Sequence, residues 1–282
     1  MNTNFIRYIK DISRPLRYRL FLSEKERLVL KNCFLPAELS KRVLKYNLSD
    51  VNFSHKKHVI YTCVTGGYDE PIVPTFYNKN WDYIFFTDNK ELLEKKVLGP
   101  WQIRSLQFSE LSNALNNRWH KINPHLLFPD YDDSIYIDGN IDILDDNLFR
   151  QSENHQPALM LVPKHPTNDC IYKEIKINLK NRRISKEQSE NIYNILKKDK
   201  YPKHYGLLEN NVIYRKHNDR KIIYLMEYWW KFIKDIVPRD QLSLCYLLWK
   251  NGVKPEEIEI DCPRLLIDSY HFYYDFSSGK HK

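Results

Sequence analysis

The 282-residue sequence predicts an α/β fold in which helices cover both faces of a mostly parallel central sheet. Short apolar runs rich in β-branched and aromatic residues alternate along the chain with longer amphipathic stretches of helical period. The clearest apolar runs each end in a cluster of polar residues, which is where open α/β sheets bind ligands. A hydrophobic fraction of 42% supplies a core, so the composition excludes a largely disordered chain.

The net charge of +8 and the pI near 9.0 indicate an anionic partner. The candidates are the phosphates of a sugar nucleotide, an acidic membrane surface and a nucleic acid. The basic residues are scattered and no nucleic-acid-binding motif accompanies them, so nucleic acid is the least favoured partner. Twenty tyrosines and six tryptophans serve either ordinary packing or stacking on sugar rings and bases, and composition does not separate the two uses.

The cysteines indicate a reducing compartment. They are odd in number, widely spaced and free of any C-x-x-C pattern: Cys33, Cys63, Cys170, Cys245 and Cys262. The amino terminus has no continuous apolar segment long enough for a signal peptide or a membrane span. We therefore expect a cytoplasmic protein.

Residues 1–55 differ in composition from the main domain, residues 56–282, and form a basic amphipathic extension. Basic and apolar side chains are interleaved between Phe5 and Leu22. Such a segment can rest as a helix on anionic lipid at the inner face of the cell membrane. A helical arm that packs on its own domain or on a second subunit explains the pattern at least as well.

The first two predicted strands both end in polar loops. Residues 58–65 form the first strand and lead into Gly66 and Gly67, a common place for a nucleotide, although paired glycines also serve any tight turn. Residues 83–86 form the second strand, which ends near Asp88. An aspartate there either contacts a ligand or caps the next helix.

The central motif follows a buried strand at residues 134–137, where Asp138, Asn140 and Asp142 alternate with other residues and Gly139 permits a sharp turn. Carboxylate and amide oxygens in this spacing can hold Mg²⁺ or Mn²⁺, and such an ion can carry the two phosphates of a nucleotide-sugar. Simple turn chemistry after a strand is the alternative.

The other elements complete the alternation. Helical periods cover residues 109–122, 169–181, 185–199 and 219–236, and a further strand covers 157–162. Asp145 can cap a short helix, a polar loop at 206–211 enters another strand, and Asp240 stands at the start of a last helix that extends through Trp249. No internal repeat is present.

Taken together, these motifs resemble the TOD/MUCI-type glycosyltransferase-like domain family. The matching stretches occur in order at 61–69, 86–88, 121–128, 136–140, 165–166, 169–172, 206–207, 215–218, 229–230 and 239–243. The resemblance implies a GT-A fold, a three-layer nucleotide-binding domain related to glycogenin-like glycosyltransferases. Two positions depart from the family pattern: Asn140 replaces a second aspartate, and Asn168 stands where an arginine is expected.

The resemblance also implies roles for individual residues. Asp138, Asn140 and His271 would bind the metal, with Asp142 as a possible helper, and Asp240 and Gln241 would lie in the catalytic neighbourhood. Asp240 would act as a general base or hold sugar hydroxyls. The nucleotide-sugar would contact Thr65, Gly66, Gly67, Tyr68, Asp88, Arg118, Lys121, Asp138, Gly139, Asn140 and His165. Arg215 and His217 are further candidates for contact with phosphate and substrate.

The implied activity is transfer of a sugar from a nucleoside diphosphate sugar, with a UDP-sugar favoured, to a saccharide or lipid-linked saccharide in bacterial capsule or lipopolysaccharide synthesis. Kinship with glycogenin-like enzymes favours retention of configuration, whereas a base at Asp240 would fit inversion. Two rival classes stay open. One is a carbohydrate-binding or scaffold protein on a degenerate GT-A fold, and the other is a metal-dependent hydrolase that uses Asp138, Asp142 and His271.

Overall fold

The strands and helices follow the predicted alternation in a computed structural model that describes residues 43–260 and 272–274. The strands are β1 (His58–Val64), β2 (Trp81–Thr87), β3 (Val97–Leu98), β4 (Trp101–Ser105), β5 (Asp133–Ile137), β6 (Ile141–Ile143), β7 (Met160–Pro163), β8 (Val212–Arg215), β9 (Glu259–Ile260) and β10 (Phe272–Tyr274). The helices are α1 (Lys90–Lys95), α2 (Asn113–Ile122), α3 (Pro124–Leu127), α4 (Asn147–Asn154), α5 (Ile171–Lys180), α6 (Lys186–Lys198), α7 (Arg220–Asp235) and α8 (Leu244–Lys250).

Eight strands form the main sheet, in the order β3-β4-β2-β1-β5-β8-β7-β9. Strand β1 lies between β2 and β5 and is parallel to both, and β2 is parallel to β4. Strand β8 is antiparallel to its two neighbours. Because β1, β2 and β5 are parallel, their carboxyl ends share one edge of the sheet. The prediction of an α/β fold with a mostly parallel sheet is confirmed.

Apolar side chains cover both faces of this sheet, which explains why β1 and β2 read as continuous apolar runs. Val59, Tyr61 and Cys63 belong to one buried cluster, together with residues of α5, α6, α7 and α8 such as Trp229. Ile60 belongs to a second cluster on the opposite face, which includes residues of α1 and α4. Two cores on one sheet give the predicted three layers.

Several boundaries differ from the sequence prediction for identifiable reasons. Helix α2 begins at Asn113 rather than at residue 109, because the Ser112 side chain caps it by accepting a hydrogen bond from the Leu115 amide at 3.4 Å. Strand β7 begins at Met160 rather than at residue 157, because the preceding turn continues to Ala158. Strands β3, β6, β9 and β10 are missing from the prediction since two or three residues carry too little periodicity. The five-residue strand β4 is missing from the prediction as well.

Strands β6 and β10 form a second, antiparallel sheet beside the Asp138 motif, with Tyr274 opposite Ile141. Strand β6 also holds Asp142, whose buried carboxylate accepts hydrogen bonds from the Thr75 amide at 2.7 Å and from the Thr75 hydroxyl at 2.8 Å. This side chain fixes the 75–76 segment against β6. The expectation that Asp142 assists metal binding is therefore wrong, because both of its oxygens bind Thr75.

The last part of the predicted amino-terminal extension contacts the domain. The Lys45 amide donates to the Thr75 carbonyl at 2.8 Å, and the Tyr46 hydroxyl donates to the Pro74 carbonyl at 3.0 Å. Residues 1–42 lie outside the described residues, and so does the predicted contact with anionic lipid. Across residues 43–260, no helix has the length and apolarity that a membrane crossing requires. Cys63, Cys170 and Cys245 are buried free thiols.

Replacement of Asp142 by alanine tests the link between β6 and the 75–76 segment. We expect the free energy of unfolding to fall by about 3 kcal/mol, because the variant leaves the Thr75 amide buried without its charged acceptor. Urea denaturation monitored by tryptophan fluorescence measures this change. Asp146→Ala is the matched control: Asp146 pairs with Arg150 on the surface, so its loss should cost less than about 1 kcal/mol. Equal losses in the two variants would contradict the assignment.

Candidate functional site

The loop after β1 is fastened to the ends of two neighbouring elements. Both oxygens of Asp88, at the end of β2, accept a hydrogen bond from the Gly66 amide, at 3.0 and 2.9 Å. The Thr65 hydroxyl donates to the carbonyl of Asn113, at the start of α2, at 2.7 Å. Gly66 has a φ of +63°, and a Cβ there would lie 2.2 Å from the side-chain nitrogen Nδ2 of Asn113. Only glycine fits this turn without strain.

The turn after β5 lies directly against this loop. A Cβ on Gly139 would lie 2.5 Å from Val64 and 3.3 Å from the Asp69 carboxylate, so glycine allows the two segments to touch. The Asp138 amide donates to the Asn211 carbonyl at 2.8 Å, and the Asp138 side chain is 36% exposed. The structure therefore brings the two loops predicted from separate parts of the sequence to one edge of the sheet.

Helix α2 directs Lys121 into the centre of this edge. The Lys121 side chain is 1% exposed, and its Nζ atom lies 2.5 Å from Asp240 Oδ2 and 3.3 Å from Asp138 Oδ1. The ammonium group also lies 5.0 Å from the centre of the Tyr136 ring. A buried lysine keeps its charge only with such partners, so the cation joins two carboxylates that are distant in sequence.

Asp240 begins a 3₁₀ turn, Asp240–Leu242, that follows α7. The Ser243 hydroxyl donates to the Asp240 carbonyl at 3.0 Å and accepts a hydrogen bond from the Trp229 indole at 2.9 Å. Both Trp229 and Ser243 are fully buried. The turn that carries Asp240 is therefore anchored to the core, and its neighbour Gln241 is partly exposed.

The cations around Asp240 determine its ionisation. Burial alone would raise the pKa of the Asp240 carboxyl, but the charges of Arg118, Lys121 and Arg239 outweigh burial and hold the pKa well below its usual range. Arg118 Nε lies 3.5 Å from Asp240 Oδ1. Burial works against the charge of Arg118 as well, yet the charges of Asp240 and Asp138 raise its pKa. The site therefore holds permanently ionised groups of both signs.

Other predicted residues lie elsewhere or have other partners. His165 Nδ1 accepts the backbone amides of Thr167 and Asn168 at 3.3 and 3.0 Å. Arg215 is fully buried in β8, where it donates to the Tyr61 hydroxyl at 2.6 Å. His217 is fully buried against the Phe128 carbonyl. Burial inside the domain rules out the predicted contacts of Arg215 with phosphate and of His217 with substrate.

The predicted metal ligands are only partly described. Asp138 and Asn140 lie on the turn after β5, whereas His271 lies outside the described residues. Within residues 43–260, no group of three or more His, Cys, Asp or Glu side chains could hold a metal ion. Mg²⁺ is often bound by one or two protein oxygens together with substrate phosphates. The donor set on this turn fits that mode of binding and not a site formed by protein alone.

Sequence reasoning missed three contributors. Arg239 lies beside Asp240, and burial together with repulsion from Arg118 lowers its pKa. Asn113 and Asn117 of α2 bind the end of β1, through the Thr65 hydroxyl and the Cys63 carbonyl respectively. No sequence pattern predicts these two asparagine contacts. Arg239 stands directly before Asp240, and its charge next to a candidate catalytic carboxylate could have identified it.

Comparisons with known proteins place the chain among glycosyltransferase-like sequences. The family model described as TOD1/MUCI70, glycosyltransferase-like domain, matches residues 49–260. A comparison with curated proteins found no significant match.

Several solved structures are similar to the chain. Mouse xyloside xylosyltransferase 1, apo form, has 10% identity and a TM-score of 0.41 over 73% of this chain and 85% of that chain. The apo structure of the bifunctional glycosyltransferase WbbM has 13% identity and a TM-score of 0.44 over 79% of this chain and 40% of that chain. The glycosyltransferase GlyE of Streptococcus pneumoniae TIGR4 has 8% identity and a TM-score of 0.38 over 71% of this chain and 45% of that chain. The chain thus spans less than half of the WbbM and GlyE chains.

Replacement of Lys121 by methionine tests the buried cluster. We expect the free energy of unfolding to fall by about 3 kcal/mol at pH 7, because Asp138 loses its ion-pair partner and Asp240 keeps only the charges of Arg118 and Arg239. The pKa of Asp240 is lowered in the folded protein, so its contribution to stability is present above its unfolded value near 4 and is lost as pH falls further. Lys121 supports that contribution. The difference in the free energy of unfolding between Lys121→Met and wild type should therefore become smaller as the pH falls from 6 to 3.

Chemical denaturation at several pH values measures both effects. Lys231→Met, at an exposed position of α7, is the matched control and should change stability by less than about 0.5 kcal/mol. A Lys121→Met variant whose stability equals that of the control at pH 7, or whose deficit does not depend on pH, would refute the role given to the cluster.

Proposed function

The chain belongs to the TOD1/MUCI70 glycosyltransferase-like domain family and is by that membership a glycosyltransferase, and we propose that it takes its sugar from a nucleoside diphosphate donor and passes it to a saccharide acceptor. Its α/β fold is the GT-A type that the sequence resemblance implies. A UDP-sugar is the favoured donor.

One observation carries the proposal: the carboxyl edge of β1, β2 and β5 combines a glycine loop with buried cations. Gly66 and Gly67 both have positive φ, and without side chains they leave the backbone open to a ligand. Arg118 and Lys121 place two positive charges at the same edge. A diphosphate requires such a combination of accessible backbone and fixed positive charge.

The loops suit the nucleoside part of the donor. Tyr68 is 49% exposed beside Thr65, and we assign it to contact with the base. Thr65 and Asp88 are engaged in holding the Gly66 turn, so we assign them a positioning role instead of the direct contact expected from the sequence. Asp138, Gly139 and Asn140 form the opposite wall of the donor site.

The proposed chemistry depends mainly on electrostatics. The positive charges of Arg118 and Lys121 would stabilise the negative charge that develops on the leaving diphosphate. Asp240 has a lowered pKa and is therefore a weak base, so of its two expected roles we favour the holding of sugar hydroxyls. Gln241, partly exposed beside it, would contact the same sugar. Retention of configuration is the proposed outcome.

We propose that a divalent metal, Mn²⁺ or Mg²⁺, enters the site together with the donor. Asp138 and Asn140 would hold it, with His271 as a third ligand from the carboxyl-terminal part of the chain. When bound, the ion would supply additional positive charge to the diphosphate. The hydrolase alternative that uses Asp142 loses support, because that carboxylate binds Thr75.

The proposed setting is the cytoplasm, at the inner face of a bacterial membrane, where capsule and lipopolysaccharide saccharides are assembled. The support is the net charge of +8 and the basic residues 1–55. The acceptor would be a saccharide or a lipid-linked saccharide.

Calorimetric titration with UDP, GDP and CDP tests the donor class. We expect one of them to bind in the presence of Mn²⁺, and Asp138→Asn to weaken that binding at least tenfold, because the variant loses a charged oxygen at the donor site. Asp130→Asn, at an exposed position before β5, is the matched control and should bind as wild type does. Folded protein that binds none of the three nucleotides would reject the proposal and favour a carbohydrate-binding scaffold.

A second titration tests the mode of metal binding. Because the described residues offer too few ligands for a metal alone, we expect Mn²⁺ without nucleotide to bind with a Kd above about 1 mM, and Mn²⁺ with nucleotide to bind at least 30-fold more tightly. Electron paramagnetic resonance of free Mn²⁺ measures both affinities. Tight binding of Mn²⁺ to the protein alone would show that a complete protein site exists.

A further inference from the structure

A polar cavity lies at the edge of the main sheet opposite to the candidate donor site. It is lined by His58, Trp81 and Asp133, the first residues of β1, β2 and β5, and the strand register places Trp81 and Asp133 on either side of His58. Its volume is about 330 Å³, and the end of α4 borders it. Because β1 has seven residues at about 3.3 Å each, the two edges lie roughly 20 Å apart.

A hydrogen-bonded network fixes the imidazole of His58 in this cavity. Asp133 Oδ1 accepts from His58 Nδ1 at 2.7 Å, and Asp133 Oδ2 accepts from the Tyr214 hydroxyl at 3.2 Å. The Tyr214 oxygen accepts in turn from Gln156 Nε2 at 3.3 Å. Since Nδ1 donates to a carboxylate, the neutral ring presents Nε2 as an acceptor. Among residues 43–260, no group binds this Nε2 atom.

Three other residues bring polar groups to the cavity that the described part of the chain leaves without hydrogen bonds. These groups are the Glu153 carboxylate, the Gln156 Oε1 atom and the Asn80 side-chain amide. Gln156 Nε2 also donates to the Ser152 carbonyl at 2.8 Å, which fixes the amide. A ligand in the cavity would therefore meet several acceptors and one amide that both donates and accepts.

Trp81 adds an aromatic ring whose position is fixed. The ring packs against His58 and Phe149, with centroid distances of 5.1 and 5.3 Å, and only 4% of the residue is exposed. Small-molecule sites commonly combine aromatic walls with a few fixed polar groups, in cavities of about 300 to 1,000 Å³. The cavity meets this description.

The charges at the cavity distinguish its ligand from a phosphate. Asp133 and Glu153 contribute two carboxylates, and none of the lining residues is a lysine or an arginine. An anionic ligand would meet like charges here, although the chain as a whole has a net charge of +8. Within residues 43–260, no three His, Cys, Asp or Glu side chains are grouped to hold a metal ion.

We propose that this cavity binds a neutral sugar unit and is a second saccharide site, separate from the donor site. The hydroxyls of a sugar ring both donate and accept, so they match the unpartnered acceptors of His58, Glu153 and Gln156 together with the Asn80 amide. A hydroxyl can bind His58 Nε2 in either protonation state of the ring. The site does not rest on the transfer reaction, because none of its residues belongs to the donor edge.

Saturation-transfer NMR and calorimetry with neutral probes test the site. The probes are the methyl glycosides of glucose, galactose, mannose and xylose, and methyl glucuronide and glucosamine are the charged counterparts. The tetrasaccharide of the sugar that binds is titrated next, because its binding separates a unit within a chain from a free monosaccharide. Each titration uses wild type, Glu153→Ala, Asn80→Ala and the control Glu94→Ala, which changes an exposed residue of α1.

We expect at least one neutral glycoside to bind wild type with a Kd on the order of 1 mM. Glu153→Ala and Asn80→Ala should each weaken this binding about fivefold or more, since each removes a hydrogen-bonding group. Glu94→Ala should bind as wild type does. Saturating UDP with Mn²⁺ should leave the affinity for the glycoside unchanged, because the two sites lie on opposite edges of the sheet.

Three results would overturn the inference. One is folded wild type that binds none of the neutral glycosides. Another is binding that UDP displaces or that neither Glu153→Ala nor Asn80→Ala weakens, which would place the sugar elsewhere. The third is a charged counterpart that binds about tenfold more tightly than every neutral probe. Absence of UDP binding, in contrast, would count against the proposed function and leave this site standing.

Discussion

The candidate site depends on a single buried ammonium group. Lys121 comes from α2, Asp138 from the end of β5 and Asp240 from the turn before α8, and the lysine charge is what joins them. The buried carboxylate of Asp240 would be costly without a cation, and so would the buried lysine without a carboxylate. The cluster therefore fixes how three distant segments meet, and the same charges that stabilise the domain are those available to an anionic ligand.

Much of the architecture follows from the sequence because parallel strands buried on both faces have a strong apolar signal. Strands β1, β2 and β5, and helices α5, α6 and α7, were predicted within a few residues of their observed bounds. The convergence of the Gly66 loop, Asp88 and Asp138 was also predictable, since the carboxyl ends of neighbouring parallel strands share an edge. Short strands such as β9 lack enough residues to show a period.

The roles of individual side chains were less predictable, because a residue type does not specify its direction. Asp142 and Asp138 look equivalent in the motif, yet Asp142 lies within β6 and turns to Thr75. Arg215 has the charge of a phosphate ligand, yet β8 places it in the core beside Tyr61. Arg239 belongs to one of the matching stretches but was given no role, and its proximity to Arg118 and Arg183 arises only in the folded chain.

The pairing of β6 with β10 bears on where the chain can be shortened. The family match ends at residue 260, so a protein trimmed to residues 49–260 would keep the eight-stranded sheet and lose Phe272–Tyr274. Strand β6 would then be an edge with unpaired backbone groups, which favours self-association. That edge begins one residue after Asn140. Expression of a minimal domain therefore carries a risk of aggregation at the very strand that borders the site.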